Sequence, residues 1–295
     1  MQLSFIGLGA MGSLMARNLI GAGFALRGYD AWPAAVQRFR DKGGQATASA
    51  AEAAQGADAL ILMVVSAAQA EEVLFASGAL EALAPDGVVV LMATCPPGAV
   101  RDLAQRVQAT GRGFVDAPVS GGTAGADAAT LSIMVAAEAA VFDRVRPVLR
   151  ALGNKIFHVG TEPGQGATVK VVNQLLCGVH IAVAAEGMAF ASRVGVDPQV
   201  VLEILGGSSA SSWMLKDRGP RMIQPDPEVS SAIDIFVKDL GIVLDAGREV
   251  KAALPLSAAA YQMFLATSGR GDGAADDSQV IRSYGLLNAG RAAPA

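Results

Sequence analysis

A short apolar run, Leu3-Ser4-Phe5-Ile6, stops at Gly7-Leu8-Gly9-Ala10-Met11-Gly12 and gives way to a helical segment over residues 11–22. No other feature restricts the chain as much, because each glycine of this G-x-G-x-x-G spacing meets a different steric demand. Gly7 permits a tight turn out of the strand, Gly9 lets backbone approach a pyrophosphate, and Gly12 lets helix and strand pack closely. The first N–H groups of the helix lack intrahelical acceptors and are left for phosphate oxygens. The spacing alone is a weak signal, and its context strengthens it. Residues 23–30 read as a turn and a second strand ending in Asp30, 23 residues beyond Gly7, where a carboxylate accepts from a ribose hydroxyl. Gly7, Leu8, Gly9, Ala10, Met11, Gly12 and Asp30 therefore read as a dinucleotide site. A carboxylate at Asp30 repels a 2′-phosphate, and Ala31-Trp32 follow it where a site for the phosphorylated cofactor usually carries Arg. NAD is thus expected in preference to NADP. Arg27 lies in the same strand, and its direction is not legible from sequence.

The alternation continues. Apolar strand runs at 59–65, 88–92, 113–116, 131–135 and 156–159 are separated by helical patterns at 33–42, 50–55, 71–83, 101–109 and 142–151. Strands alternating with helices imply βαβ units and a mainly parallel sheet covered on both faces. The pattern changes near 160–166. Beyond it no convincing strand appears, and 168–194, 198–205, 232–250, 258–268 and 278–284 read as helices. The expectation is an α/β Rossmann, doubly wound domain over 1–163, followed by an all-α substrate and oligomerisation domain over 164–295, with 287–295 as a loose tail.

Composition removes several function classes. The chain has 295 residues, of which 52% are apolar and 17% charged, so it is far from the low-hydrophobicity, high-charge regime of disorder. Its net charge of −4 and lack of a basic run argue against nucleic acid as a partner. Cys95, Cys177, His158 and His180 are too few and too scattered for a disulfide framework or a metal site. A reducing, cytoplasmic setting is expected. Residues 171–192 are long and apolar enough to span a bilayer, but Asn173, Gln174, His180 and Glu186 interrupt them, and a buried helix without membrane contact is the preferred reading. Its apolar surface exceeds what a small domain covers, so a homodimer or homotetramer packed through the helical half is expected.

Two further stretches carry chemistry. Asp116-Ala117-Pro118-Val119-Ser120-Gly121-Gly122-Thr123 follows a strand, and consecutive Ser-Gly-Gly residues form either a nest of N–H donors suited to a carboxylate or an ordinary polar loop. Gly166-Ala167-Thr168-Val169-Lys170-Val171-Val172-Asn173-Gln174 opens the long helix and puts Lys170, Asn173 and Gln174 on one face. A lysine among apolar neighbours either snorkels to water or is buried, where desolvation favours its neutral form and fits it to exchange a proton.

In this order the motifs resemble those of the β-hydroxyacid dehydrogenases, which include 3-hydroxyisobutyrate and tartronate-semialdehyde enzymes. The resemblance rests on residues 7–12, 116–122, 166–173 and Lys238-Asp239-Leu240, and extends from Gly7 to about Tyr284. It implies a Rossmann domain, a helical second domain and NAD(P)-dependent hydride transfer at the hydroxyl of a small acid. Carried over to this sequence, it makes Lys170 the catalytic lysine and Asn173 its polar partner. Ser120, Gly121, Gly122 and Thr123 become the substrate-carboxylate loop, joined by Gln174. Lys238 becomes the lysine near nicotinamide and substrate, Thr94 a cofactor contact, and Val64 and Val65 the strand end on the adenosine side. Gln174 departs from the second Asn common in the family, and Ala129-Thr130-Leu131 from its Gly-Thr-Leu. Residues 173–182, 212–214, 234–241 and 255–260 are similar to the L-threonate dehydrogenase branch, which implies oxidation of the 2-hydroxyl of a four-carbon sugar acid. The alternatives are 3-hydroxyisobutyrate, tartronate semialdehyde or succinic semialdehyde as substrate. An imine reductase usually lacks the lysine, and a non-catalytic redox sensor leaves it unexplained. His158 and Cys177 read as structural, His180 as an interface contact, Cys95 as a loop thiol, and Asp272, Asp276 and Asp277 as an acidic turn and helix start. Trp213 is left open between pocket wall and packing.

Overall fold

The structure, a computed structural model, describes residues 1–287. All but Leu287 of the expected tail lies outside the described residues. Two compact units are present, Met1–Lys170 and the chain from Val171 onward.

The first unit is built on a nine-stranded sheet: β1 (Gln2–Ile6), β2 (Ala25–Tyr29), β3 (Gln45–Ala46), β4 (Ala59–Leu62), β5 (Val88–Leu91), β6 (Gly113–Asp116), β7 (Val119–Ser120), β8 (Ser132–Ala136) and β9 (Lys155–Gly160). The spatial order is β3-β2-β1-β4-β5-β6-β8-β7, with β9 paired to β8. All pairings are parallel except β6 with β8 and β7 with β8. Side chains alternate between two cores, as a sheet covered on both faces requires. Ala59, Ile61, Val88 and Val90 face Met15, Leu19 and Phe39, whereas Leu60, Leu62, Val89 and Leu91 face Leu74, Leu80, Val100 and Leu103.

The direction of winding reverses between β1 and β4, so their carboxyl ends form the crevice in which ligands of open α/β sheets bind. The short strands β3 and β7, two residues each, carry too little pattern to be read from sequence. The single helix expected over 71–83 is instead three pieces. Ser66 caps an earlier start by accepting from the Gln69 N–H (3.2 Å), a π-turn spans Glu72–Ala76, and Gly78 takes the left-handed conformation before Ala79–Ala82. The loop after Ser120 also coils into a short helix, Gly122–Asp127.

The unit from Val171 onward is helical among its described residues. It carries most of Gln165–Arg193, then Pro198–Gly206, Trp213–Met222, Ile233–Glu249, Pro255–Thr267 and Ile281–Leu287. The helix Trp213–Met222 is absent from the sequence pattern, because Gly219 and Pro220 near its end obscure it. The core gathers Ile181, Ala185, Met188, Leu240 and the stacked rings of Phe236 and Phe264, 5.1 Å apart. Gln165–Arg193 is long and apolar enough to cross a membrane by length and composition, and 44% of its most apolar window is buried in the protein.

Candidate active site

The crevice is shaped by absent side chains. Gly7 leaves β1 with φ +98°, and a Cβ there would lie 2.4 Å from the Met63 carbonyl oxygen, so the chain after β1 is pressed against the chain after β4. A Cβ on Gly12 would lie 1.8 Å from the Gly7 oxygen. Gly9 is different: a Cβ there would meet nothing within 4 Å, so its backbone faces open space. Gly9 also caps the helix Ala10–Gly21 without a side-chain acceptor, which leaves that helix's first N–H groups aimed outward. Leu8 is buried below this turn, while Ala10 and Met11 open the helix.

Asp30 follows β2 and is held firmly. Its Oδ2 accepts from the Leu8 N–H (2.6 Å) and its Oδ1 from the Trp32 N–H (2.7 Å). Each oxygen keeps a second lone pair for a ribose hydroxyl. Arg27 turns the other way and donates to the Gln55 carbonyl. Strand β4 ends at Leu62, so Val64 and Val65 belong to the following loop rather than to the strand end. Backbone pleating no longer constrains them there. Thr94 lies in the turn after β5, beside buried Cys95. Open backbone at Gly9, an uncapped helix start and an anchored carboxylate at Asp30 fit a dinucleotide, with Gly7 to Gly12 and Asp30 as the residues that would hold it.

Asp116, the last residue of β6, has a structural role that the motif spacing does not reveal. Its side chain is buried, and Oδ2 accepts from the N–H groups of Gly164 and Ala167, both at 2.9 Å. It thus anchors the first turn of the long helix, three residues before Lys170. Gly166 fits this corner only because it lacks a Cβ, which would stand 2.9 Å from the Asp116 carbonyl oxygen. Burial pushes the Asp116 carboxyl up to about 6 against the pull of backbone hydrogen bonds from Ala167, Gly164 and Gly166. The partners are 48 and 51 residues away in sequence, so no local pattern exposes the link.

Lys170 is buried, at 6% exposure, which decides between the two sequence readings: it does not snorkel to water. Ser120 is paired through β7 to Ser132, and Gly121 and Gly122 both have positive φ, +130° and +61°. Consecutive residues of this kind expose successive N–H groups, and Thr123 follows in the first turn of Gly122–Asp127.

In the helical unit Asn173, Gln174 and Lys238 belong to one polar chain. Asn173 Nδ2 donates to Gln174 Oε1 (2.8 Å), and it also lies 3.4 Å from Cys177 Sγ. Gln174 Nε2 donates to Asp239 Oδ2, and Asp239 Oδ1 lies 2.8 Å from Lys238 Nζ. The role of Asp239 has no local signal, because Gln174 lies 65 residues away in sequence. His158 bonds the Ala137 carbonyl (2.8 Å) and stacks on Phe142, and Trp213 is largely exposed with the Arg218 guanidinium over its ring.

Residues 2–160 match the NAD binding domain of 6-phosphogluconate dehydrogenase, and residues 164–284 match the family described as NAD-binding of NADP-dependent 3-hydroxyisobutyrate dehydrogenase. The chain is 44% identical to L-threonate dehydrogenase of Cupriavidus necator, covering 96% of each protein. It is 37% identical to 2-(hydroxymethyl)glutarate dehydrogenase of Eubacterium barkeri, over 96% of this chain and 94% of that one. A crystal structure of 3-hydroxyisobutyrate dehydrogenase from Salmonella typhimurium superposes with a TM-score of 0.89 at 37% identity, over 95% of this chain and 99% of the other. Likeness of this extent, running through both units, is not a matter of the nucleotide fold alone: the chain belongs to the 3-hydroxyisobutyrate dehydrogenase-like family of NAD(P)-binding β-hydroxyacid dehydrogenases, oxidoreductases that act on CH–OH groups.

Proposed function

We propose that the protein oxidises the 2-hydroxyl of L-threonate to 2-dehydro-L-erythronate with NAD. The observation that carries the substrate is the 44% identity to the Cupriavidus necator L-threonate dehydrogenase over nearly the whole of both chains. NAD is supported by the Asp30 carboxylate, which is fixed by two backbone N–H groups, and by Arg27, which bonds a backbone carbonyl instead of facing Asp30.

In this reading the N–H groups around Ser120, Gly121, Gly122 and Thr123 hold the substrate carboxylate. Lys170 takes the hydroxyl proton, and Asn173 orients that hydroxyl. Lys238 supplies positive charge beside the acid. Gly7 to Gly12 and Asp30 hold the cofactor, with Val64, Val65 and Thr94 on its flanks. NAD, when bound, supplies the hydride acceptor. Positioning accounts for much of the acceleration, since hydride transfer needs close approach and little else from the protein. The functional protein is a homodimer or homotetramer built through the helical half, working in the cytoplasm.

The test is NADH formation at about pH 8–9 with L-threonate, D-threonate, D-erythronate and 3-hydroxyisobutyrate in parallel. L-threonate should be turned over fastest. A faster rate with 3-hydroxyisobutyrate overturns the substrate while keeping the chemistry, and turnover only with NADP overturns the reading of Asp30.

A further inference from the structure

We propose that Gln174 is a positioning residue that acts through Asp239 on Lys238, and not primarily a substrate ligand. The inference rests on the role given to Lys238 above. Both polar ends of the Gln174 side chain are engaged: Oε1 receives Asn173 Nδ2 at 2.8 Å, and Nε2 donates to Asp239 Oδ2. Gln174 and Asp239 are 7% and 2% exposed, so little of either remains for substrate. The carboxylate can only accept, which fixes which end of the amide faces it. Its other oxygen lies 2.8 Å from Lys238 Nζ. The result is one continuous chain, Asn173 to Gln174 to Asp239 to Lys238, bridging the helices Gln165–Arg193 and Ile233–Glu249 inside the helical unit.

Close packing makes the bridge possible. Gly178, one turn beyond Gln174, has no side chain, and a Cβ there would lie 2.7 Å from Leu240 Cδ2. The two helices therefore approach closely just where the amide crosses. Length matters as well. An asparagine at 174 would end one C–C bond, about 1.5 Å, short of the carboxylate, and a hydrogen bond stretched by that amount no longer counts as one. The extra methylene of a glutamine is thus what lets residue 174 reach Asp239. A buried carboxylate that loses a donor retains its desolvation cost, and its hold on Lys238 changes with it.

The test is a double-mutant cycle on the full-length enzyme, assayed with L-threonate and NAD and followed by thermal melting. Gln174→Met roughly conserves volume while removing both polar ends, with the melting curve reporting whether the variant folds; Asp239→Asn removes the charge, and Lys238→Met removes the end of the chain. Gln174→Met and Asp239→Asn should each lower kcat/KM by about tenfold, and Gln174→Met should have almost no effect in the Lys238→Met background, because both act on one term. An equal loss from Gln174→Met with and without Lys238 would mean ordinary packing or direct substrate contact, and it overturns the inference. So does a Gln174→Met enzyme with unchanged kcat/KM. If Lys238→Met alone is as active as the parent, the assigned role of Lys238 fails, an outcome visible in a different variant from the one that tests Gln174.

Discussion

At the scale of single residues, two buried ionisable side chains decide most. Lys170 has 6% of its surface exposed, and its replacement by Ala should lower kcat by about 10³-fold or more while the affinity for NADH, read by fluorescence titration, stays within about threefold. Turnover within about threefold of the parent would remove the lysine from the chemistry. Asp116 makes a prediction about stability and pH. The native carboxyl titrates at about 6, against about 3.9 in an unfolded chain, so the native state holds this proton more tightly. Its contribution is therefore greatest below about pH 4, falls as pH rises to about 6, and is flat above, a change on the order of 3 kcal/mol. Asp116→Asn keeps an acceptor oxygen for Gly164 and Ala167 but cannot titrate. Urea unfolding between pH 4 and 7 should show a smaller loss of stability in this variant than in the parent.

Among the elements, the glycine turn separates folding from binding. Gly9→Ala places a methyl in open space and should leave Tm unchanged while raising the KM for NAD by about tenfold or more, because the methyl takes the place of a phosphate. Gly12→Ala drives a methyl into the Gly7 carbonyl and should lower stability by about 1–3 kcal/mol as well as binding. Equal effects of the two on Tm would contradict the assignment of open space at Gly9. The helical unit has its own clamp, which changes the reading of the acidic turn. Asp277 is fully buried and pairs with Arg218 through two bonds of 2.8 and 2.9 Å, while Asp276 receives Arg221, Ser230 and the Ser278 N–H, and Asp272 pairs with Arg282. A carboxylate at a helix start was expected, and Asp276 does cap one, but burial of the pair makes the turn a structural tie. Arg218→Ala strands Asp277 in the interior and should cost about 3–5 kcal/mol in urea unfolding.

For the molecule as a whole, the long helix leaves Val169, Val172, Leu176, Val183 and Phe190 exposed. Val169, Leu176, Val183 and Phe190 recur every seven residues, the repeat of a seam that packs against another helix. If that seam joins copies of this chain, Val183→Asp with Phe190→Asp should shift the species seen by sedimentation to a smaller one. An unchanged mass would place the oligomer contact elsewhere or remove it.

Sequence alone determined what short-range chemistry encodes. Strand and helix alternation, the steric roles of Gly7 and Gly12, the carboxylate at Asp30 and the change to an all-helical second half are written in periodicity and in local spacing. So are Lys170, Asn173 and Gln174, because a helix makes positions three and four apart share a face. Tertiary structure alone decided the partners. Asp116 meets Gly164 and Ala167, Gln174 meets Asp239, and Arg218 meets Asp277, each across 48 to 65 residues of chain. Such contacts arise from how whole elements pack, and packing leaves no periodic trace near either residue. The interior then sets what these groups do, since a buried carboxylate must take whatever donors the fold brings to it.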